Sequence, residues 1–239
     1  MDCGKALDVD YSLEDLRSKY DAVFLAFGAN VSRKMNIPGE DLNGVFGGNE
    51  LLESGEHPDY RGKKIAVIGG GNVAMDASRT IKRLGADKVY VIYRRAEEQM
   101  PAERREIEDA KTEGIEFLLQ SNLVRINGKS CVTGAECVKT KLVQKEGSDR
   151  LVPVDVDGSN FTLAMDYVVM AVGAEAEKSV LDELGVNLNK WGYIDVDKNY
   201  ETSIQNVFAG GNLIGNKATV AWAARSGRDA AETIYRKLV

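Results

Sequence analysis

Apolar residues alternate between two periods along this chain, and the clearest change of period lies in the middle. Ile65 to Ile68 is a short β-branched run closed by three glycines, the pattern of a buried strand entering a tight turn. From Val73 to Leu84 the apolar positions Val73, Ala74, Ala77, Ile81 and Leu84 recur near the helical period. Lys82 and Arg83 suit the negative end of that helix, and Gly85 suits its stop. Val89 to Tyr93 then reads as a second strand. Upstream, Ser12 to Tyr20 predicts a short helix with Ser12 as N-cap and Asp15 three positions on, followed by the apolar strand DAVFLAFGA. IPGEDLNGVFGG reads as a turn-rich connector, and Glu53 to Lys64 as a polar lead-in.

Downstream, Pro101 to Gly114 predicts a charged surface helix with Pro at its start and Gly at its end, and IEFLLQ a strand. Short strand-like runs between Leu123 and Leu163, broken by NGK, EGSD and DGSN, predict an antiparallel meander. DYVVMAVGA repeats the form of DAVFLAFGA: an Asp, an apolar strand, a terminal Gly-Ala. If the two mark where the chain leaves and re-enters one lobe, what lies between them is an insertion. NVFAGGN is a further strand ending in glycines. The helix expected from about Ala218 has Val220, Ala221, Ala224, Ala231, Ile234 and Leu238 as its apolar face.

The central strand, glycine turn, helix and strand give chemistry to the pattern. In Gly69-x-Gly71-x-x-Ala74, Gly69 allows the turn, Gly71 lets backbone approach a pyrophosphate, and Ala74 lets helix and strand pack closely. The helix start then offers N–H groups and partial positive charge to phosphates. Gly70, Asn72, Val73 and Asp76 complete the candidate contacts of this turn. An NAD site would place an acid at the end of the second strand; here stand Arg94 and Arg95, whose guanidinium groups match a 2'-phosphate, so NADP(H) is expected over NAD(H). Glu97 and Glu98 lie near enough to replace the missing acid, and two arginines on a solvated strand edge are the plainer alternative.

Composition narrows the remaining choices. With 239 residues and 44% hydrophobic content, two modest domains are more natural than one. A net charge of -6 points away from nucleic acid, no apolar run reaches membrane-spanning length, and a cytoplasmic location is the default expectation. Cys3, Cys131 and Cys137 lack disulfide-framework or cluster spacing, so reduced thiols and no metal site are expected. The single histidine, His57, removes histidine triads and multi-histidine metal sites. Tyr60-x-x-x-Lys64 has the spacing of a short-chain dehydrogenase pair but precedes the glycine turn, which makes it chance.

Taken together, KKIAVIGGGNVAMDASRTIKRLGA, YRRAEEQMPAERREIEDAKTEGIEF, DYVVMAVGA and VFAGGN resemble the glutamate synthase small (β) subunit family of flavoprotein oxidoreductases with two dinucleotide-binding domains. The resemblance implies an α/β fold: a Rossmann-like NADP-binding domain with parallel sheet and antiparallel meander, inserted into a partial FAD-binding lobe. The expected division is 1–62 for a partial FAD-lobe segment and linker, 63–172 for the NADP(H)-binding domain and 173–239 for the C-terminal FAD-lobe segment. It implies NADPH at Gly69, Gly71, Asn72 and Ala74 with Arg94 and Arg95 near the 2'-phosphate, and flavin near Gly173, Gly211, Asn212 and Thr219. Hydride would pass from NADPH to FAD and electrons onward to iron-sulfur clusters or a large-subunit-like partner, with no general acid or base expected from the protein. Family members carry an N-terminal GxGxxG and cluster-binding cysteines, neither of which occurs here, so the chain is expected to begin partway through the FAD domain. Asn212 replaces the Asp of the usual GGD. The alternative is a flavin-free NADP(H)-binding module without activity of its own.

Overall fold

The structure is a computed structural model that describes residues 2–7, 9–144, 151–215 and 219–239. The chain opens with α1 (Leu13–Lys19), β1 (Val23–Leu25), β2 (Val31–Ser32), β3 (Val45–Gly47) and α2 (Gly48–Ser54). The central elements are β4 (Lys64–Ile68), α3 (Asn72–Arg83), β5 (Lys88–Tyr93), α4 (Arg104–Thr112) and β6 (Glu116–Leu119). Next come β7 (Ser121–Gly128), β8 (Val132–Gln144), β9 (Leu151–Asp155), β10 (Phe161–Ala164) and β11 (Tyr167–Met170). The last are β12 (Ala174–Glu175), α5 (Lys178–Leu184), β13 (Val207–Ala209) and α6 (Val220–Leu238).

Two compact units result: Met1–Val31 with Glu175–Val239, and Ser32–Ala174. The crossings fall just beyond Gly28-Ala29 and at Gly173-Ala174, the ends of the two echoing strands. Residues 32–62, expected with the flanking lobe, belong instead to the larger unit. The reason is a strand and a helix hidden in the connector: β3 joins the central sheet and α2 packs on α3.

The larger unit is built on a five-stranded parallel sheet in the order β3-β11-β4-β5-β6. Because side chains alternate along a strand, β4 and β5 feed two cores. Ile65, Val67, Val89 and Val91 face Met75, Ala77 and Ile81 of α3 and Ile107 and Ala110 of α4. Ala66, Ile68 and Ile92 face the other way, toward Leu123, Ile126 and Ala135 of an antiparallel sheet. Three layers follow: helices, parallel sheet, antiparallel sheet. The antiparallel layer is not a simple meander. The long β8 is its centre, pairing β7 and β10 in its first part and β9 at Thr140–Gln144. EGSD lies outside the described residues.

In the smaller unit, β1 and β13 form a parallel pair, Val23 to Leu25 against Val207 to Ala209. Its core gathers Leu13, Leu25, Leu181, Leu184, Ile194 and Leu213. The expected capping box closes α1, with Ser12 Oγ accepting from Asp15 N at 3.0 Å and Asp15 accepting from Ser12 N at 3.0 Å. The expected apolar face of α6 is not the buried one: Val220 is 87% and Leu238 46% exposed, whereas Ser226 and Ala230 are buried. Small size and hydrogen bonding decide this. Ser226 Oγ donates to Ala223 O and accepts from Gly211 N at 2.8 Å, so a polar residue sits buried and satisfied. Ala218, the expected helix start, lies outside the described residues.

Candidate functional site

The glycine turn sits between the end of β4 and the start of α3, and its three glycines meet three different surroundings. Gly69 has φ +145° and a Cβ there would lie 2.1 Å from Ala171 O, so both conformation and space exclude a side chain. At Gly70 a Cβ would meet the Tyr93 ring at 2.7 Å. Gly71, by contrast, has ordinary extended backbone, φ -95° and ψ 179°, and a Cβ would find only Pro101 Cγ at 3.8 Å. Nothing among the described residues forbids a side chain at Gly71; the space beside it is open at the start of α3. No side chain caps that start, and Ala74 behind it is fully buried.

A clasp fixes the turn from the other side. Ala102 N donates to Gly70 O at 3.1 Å, and Glu103 N donates to Asn72 Oδ1 at 3.0 Å. α4 starts at Arg104 rather than at Pro101 as the sequence suggested, because Glu103, held on Asn72, has a non-helical ψ of 133° and is the N-cap. Tyr93, whose ring underlies Gly70, donates its hydroxyl to Gln99 O at 2.7 Å. Asn72 is therefore a structural clamp as well as a candidate ligand. Half-buried Val73 approaches the site of a Gly48 Cβ to 3.1 Å and closes α3 on α2. Asp76 lies on the exposed side of α3. Partial desolvation, then Glu106, raises its carboxyl above the ordinary range, against the pull of Arg79.

Arg94 and Arg95 follow β5 directly, Arg94 exposed and Arg95 half-buried. Among the described residues neither guanidinium forms an ion pair, and Arg95 Nε is buried without a partner. Glu97 is committed elsewhere, to Lys111 Nζ at 2.6 and 2.7 Å. The backbone of the arginine pair is fixed: Thr140 Oγ1 donates to Arg94 O at 2.8 Å and Gln120 N to Arg95 O at 3.0 Å. Sequence patterning found the arginines but not Thr140 or Gln120, whose partners are backbone atoms far away in the chain.

Gly173 has φ +124°, and its carbonyl accepts from Arg33 N at 3.0 Å. In the smaller unit, Gly211 (φ +65°) opens a single 3-10 turn with Asn212 half-buried in it, and the Gly211 N–H is engaged by Ser226. Thr219 is the N-cap of α6, accepting from Trp222 N at 3.4 Å. The Tyr60–Lys64 spacing carries no catalytic pair: Tyr60 is buried in the helix-side core, where burial, then Tyr167, pushes its hydroxyl up to about 12, and it contacts His57 Nδ1 at 3.2 Å.

A strand-to-helix glycine turn with an open Gly71 and a following parallel strand is the geometry of a dinucleotide-binding unit. The profile of the pyridine nucleotide-disulphide oxidoreductases matches residues 4–227. The chain belongs to this family. Among pyridine nucleotide-disulphide oxidoreductases and their relatives it is 39% identical to the NADP(+)-dependent formate dehydrogenase subunit beta of Moorella thermoacetica, over 96% of this chain and 33% of that protein. It is 35% identical to the glutamate synthase [NADPH] small chain of Azospirillum brasilense, over 95% of this chain and 50% of that one. The chain thus spans a third to a half of these relatives. The fold matches FprA of Mycobacterium tuberculosis in complex with NADPH with a TM-score of 0.81, at 21% identity over 95% of this chain and 66% of that one. It also matches the thioredoxin reductase of T. acidophilum with a TM-score of 0.69, at 23% identity over 90% and 65%. Among the described residues no helix is long and apolar enough to cross a membrane.

Proposed function

We propose that this chain is the NADPH-binding part of a flavin-dependent oxidoreductase of the glutamate synthase small-subunit type. The observation that carries the reading is the open space at Gly71, at an uncapped helix start, together with two arginines directly after the next strand that have no carboxylate partner among the described residues. The pyrophosphate would lie on Gly69 to Val73, against the first N–H groups of α3, with Ala74 and Asp76 behind and beside it. Arg94 and Arg95 would hold the 2'-phosphate, since the two residues directly after β5 are arginines rather than an acid and Glu97 is paired with Lys111. The relatives' names support the same nucleotide: formate dehydrogenase, glutamate synthase and an NADPH-Fe(3+) oxidoreductase subunit of Geobacter sulfurreducens differ in substrate, yet all three names carry NADP or NADPH. What they share over this chain is accordingly the nucleotide step.

On this reading Gly211, Asn212 and Thr219 of the smaller unit belong to the flavin side. When bound, nicotinamide supplies a hydride that the flavin accepts, and the protein supplies position and electrostatics. Thr219, exposed at the start of α6, keeps its hydroxyl proton free to donate, and Asn212 offers a neutral amide in place of a carboxylate. The onward acceptor would be an iron-sulfur protein or a large-subunit-like partner. The alternative, a nucleotide-binding module that retains no flavin, is separated by the visible spectrum: a purified chain that takes up added FAD and is bleached anaerobically by NADPH supports electron entry, and a colourless chain that still binds NADPH supports the module.

The nucleotide assignment is tested by replacing Arg94 and Arg95 together with alanine. Two charge-assisted contacts are lost to NADPH alone, so its Kd should rise by roughly a hundred-fold with little change for NADH. Equal losses for both would remove the 2'-phosphate role.

A further inference from the structure

The antiparallel sheet offers no residue to the candidate nucleotide site by sequence, yet it grips the arginine pair by the backbone. Both carbonyls of Arg94-Arg95 accept hydrogen bonds from outside their own strand. Thr140 Oγ1 reaches Arg94 O at 2.8 Å, and Gln120 N reaches Arg95 O at 3.0 Å. The two donors are themselves linked, Thr140 N donating to Gln120 O at 2.8 Å. Gln120 has φ +46°, a left-handed conformation uncommon outside glycine, at the point where the chain leaves β6 of the parallel sheet for β7 of the antiparallel one. Thr140 is 5% exposed, a buried polar residue on β8 where an apolar one would otherwise pack.

We infer that Thr140 is a positioning residue for nucleotide selectivity, fixing through Arg94 O the directions in which the two guanidinium groups leave the end of β5. The inference rests on the assignment of Arg94 and Arg95 to the 2'-phosphate. Its physical basis is that no ion pair among the described residues orients either guanidinium, so the backbone anchors are what hold the pair in place. Bidentate recognition of a phosphate tolerates little angular error, whereas the rest of the nucleotide is held by the glycine turn, which Thr140 does not touch. Losing the hydroxyl should therefore weaken NADPH and leave NADH alone.

The test uses the full chain and measures equilibrium binding of NADPH and of NADH to the wild type, Thr140→Val, Thr140→Ser and the Arg94→Ala/Arg95→Ala double variant. Valine keeps the shape of threonine and removes the donor; serine keeps the donor. The NADPH-to-NADH affinity ratio should fall about five-fold in Thr140→Val, the equivalent of one neutral hydrogen bond, with NADH affinity unchanged, and Thr140→Ser should recover most of it. An unchanged ratio in the valine variant, a parallel loss for both nucleotides, or a serine variant as poor as valine would overturn the inference. If Thr140→Val binds neither nucleotide, Thr140→Ser and Thr140→Cys decide: the ratio must decline from Thr through Ser to Cys, as donor strength does, and any other order overturns it. A wild type without NADPH preference, or a double variant with an unaltered ratio, removes the underlying phosphate assignment instead and this inference with it.

Discussion

Three consecutive glycines look equivalent in sequence, and the structure separates them by what a methyl group would strike. Gly69 is forbidden a side chain by its own φ and by Ala171 O, Gly70 by Tyr93, and Gly71 by nothing among the described residues. Gly69→Ala should therefore cost about 2 kcal/mol or more of stability. Gly71→Ala should cost less than about 1 kcal/mol but weaken NADPH by roughly ten-fold or more, because on the proposed nucleotide site the methyl would occupy the space of a phosphate. Denaturant titrations set beside nucleotide binding check both halves. The cysteines divide as sharply. Cys3 and Cys131 are exposed, while Cys137 is buried on β8 and burial pushes its thiol up to about 12. An aromatic disulfide reagent at pH 8 should titrate two thiols in the native chain and the third only on unfolding. The positions of the glycine turn before α3 and of the arginine pair after β5 were legible at this scale because local pattern sets them. Thr140, Gln120 and the Asn72 clamp were not, since each is defined by a backbone partner distant in sequence.

Among the elements, those with strong periodicity were legible: α1, β4, α3, β5 and β11 lie where the pattern puts them. β3 and α2 were not, because three strand residues and one turn of apolar positions inside a glycine-rich connector present too short a period to register. The buried side of α6 was misread for a different reason: its stripe is built from Ser226 and Ala230, selected for size and a hydrogen bond rather than for hydrophobicity. One element junction is pH-sensitive. Asp166 ties β11 to β4 by accepting from Lys64 N at 2.8 Å and Lys63 Nζ at 3.1 Å. Burial alone would raise its carboxyl, but those two donors outweigh burial and hold it below the ordinary range. Its contribution is therefore full above the unfolded value of about 3.9 and is lost as pH falls through the lower folded value. Asp166→Asn should cost about 1 kcal/mol at pH 7, discounted for the side chain's partial exposure, and the gap to wild type should close on acidification below about pH 4. Urea unfolding at a series of pH values tests this.

In the molecule as a whole, one unit is continuous in sequence and the other is made of two distant segments. The continuous unit holds two of the three buried clusters, and the other holds the third. Residues 32–174 expressed alone should fold cooperatively and keep NADPH affinity within a few-fold of the full chain, as a calorimetric scan and a binding titration would show. The hydrogen bond from Arg33 N to Gly173 O sets a timetable for the rest. It joins the two ends of the larger unit, so that once this unit has condensed, the segments carrying β1 and β13 start from neighbouring points instead of from the ends of a long loose loop. The larger unit is therefore expected to close before the smaller one, whose two segments it brings together. Both tryptophans, Trp191 and Trp222, belong to the late unit, so their fluorescence should recover after far-ultraviolet ellipticity when the unfolded chain is returned to native conditions.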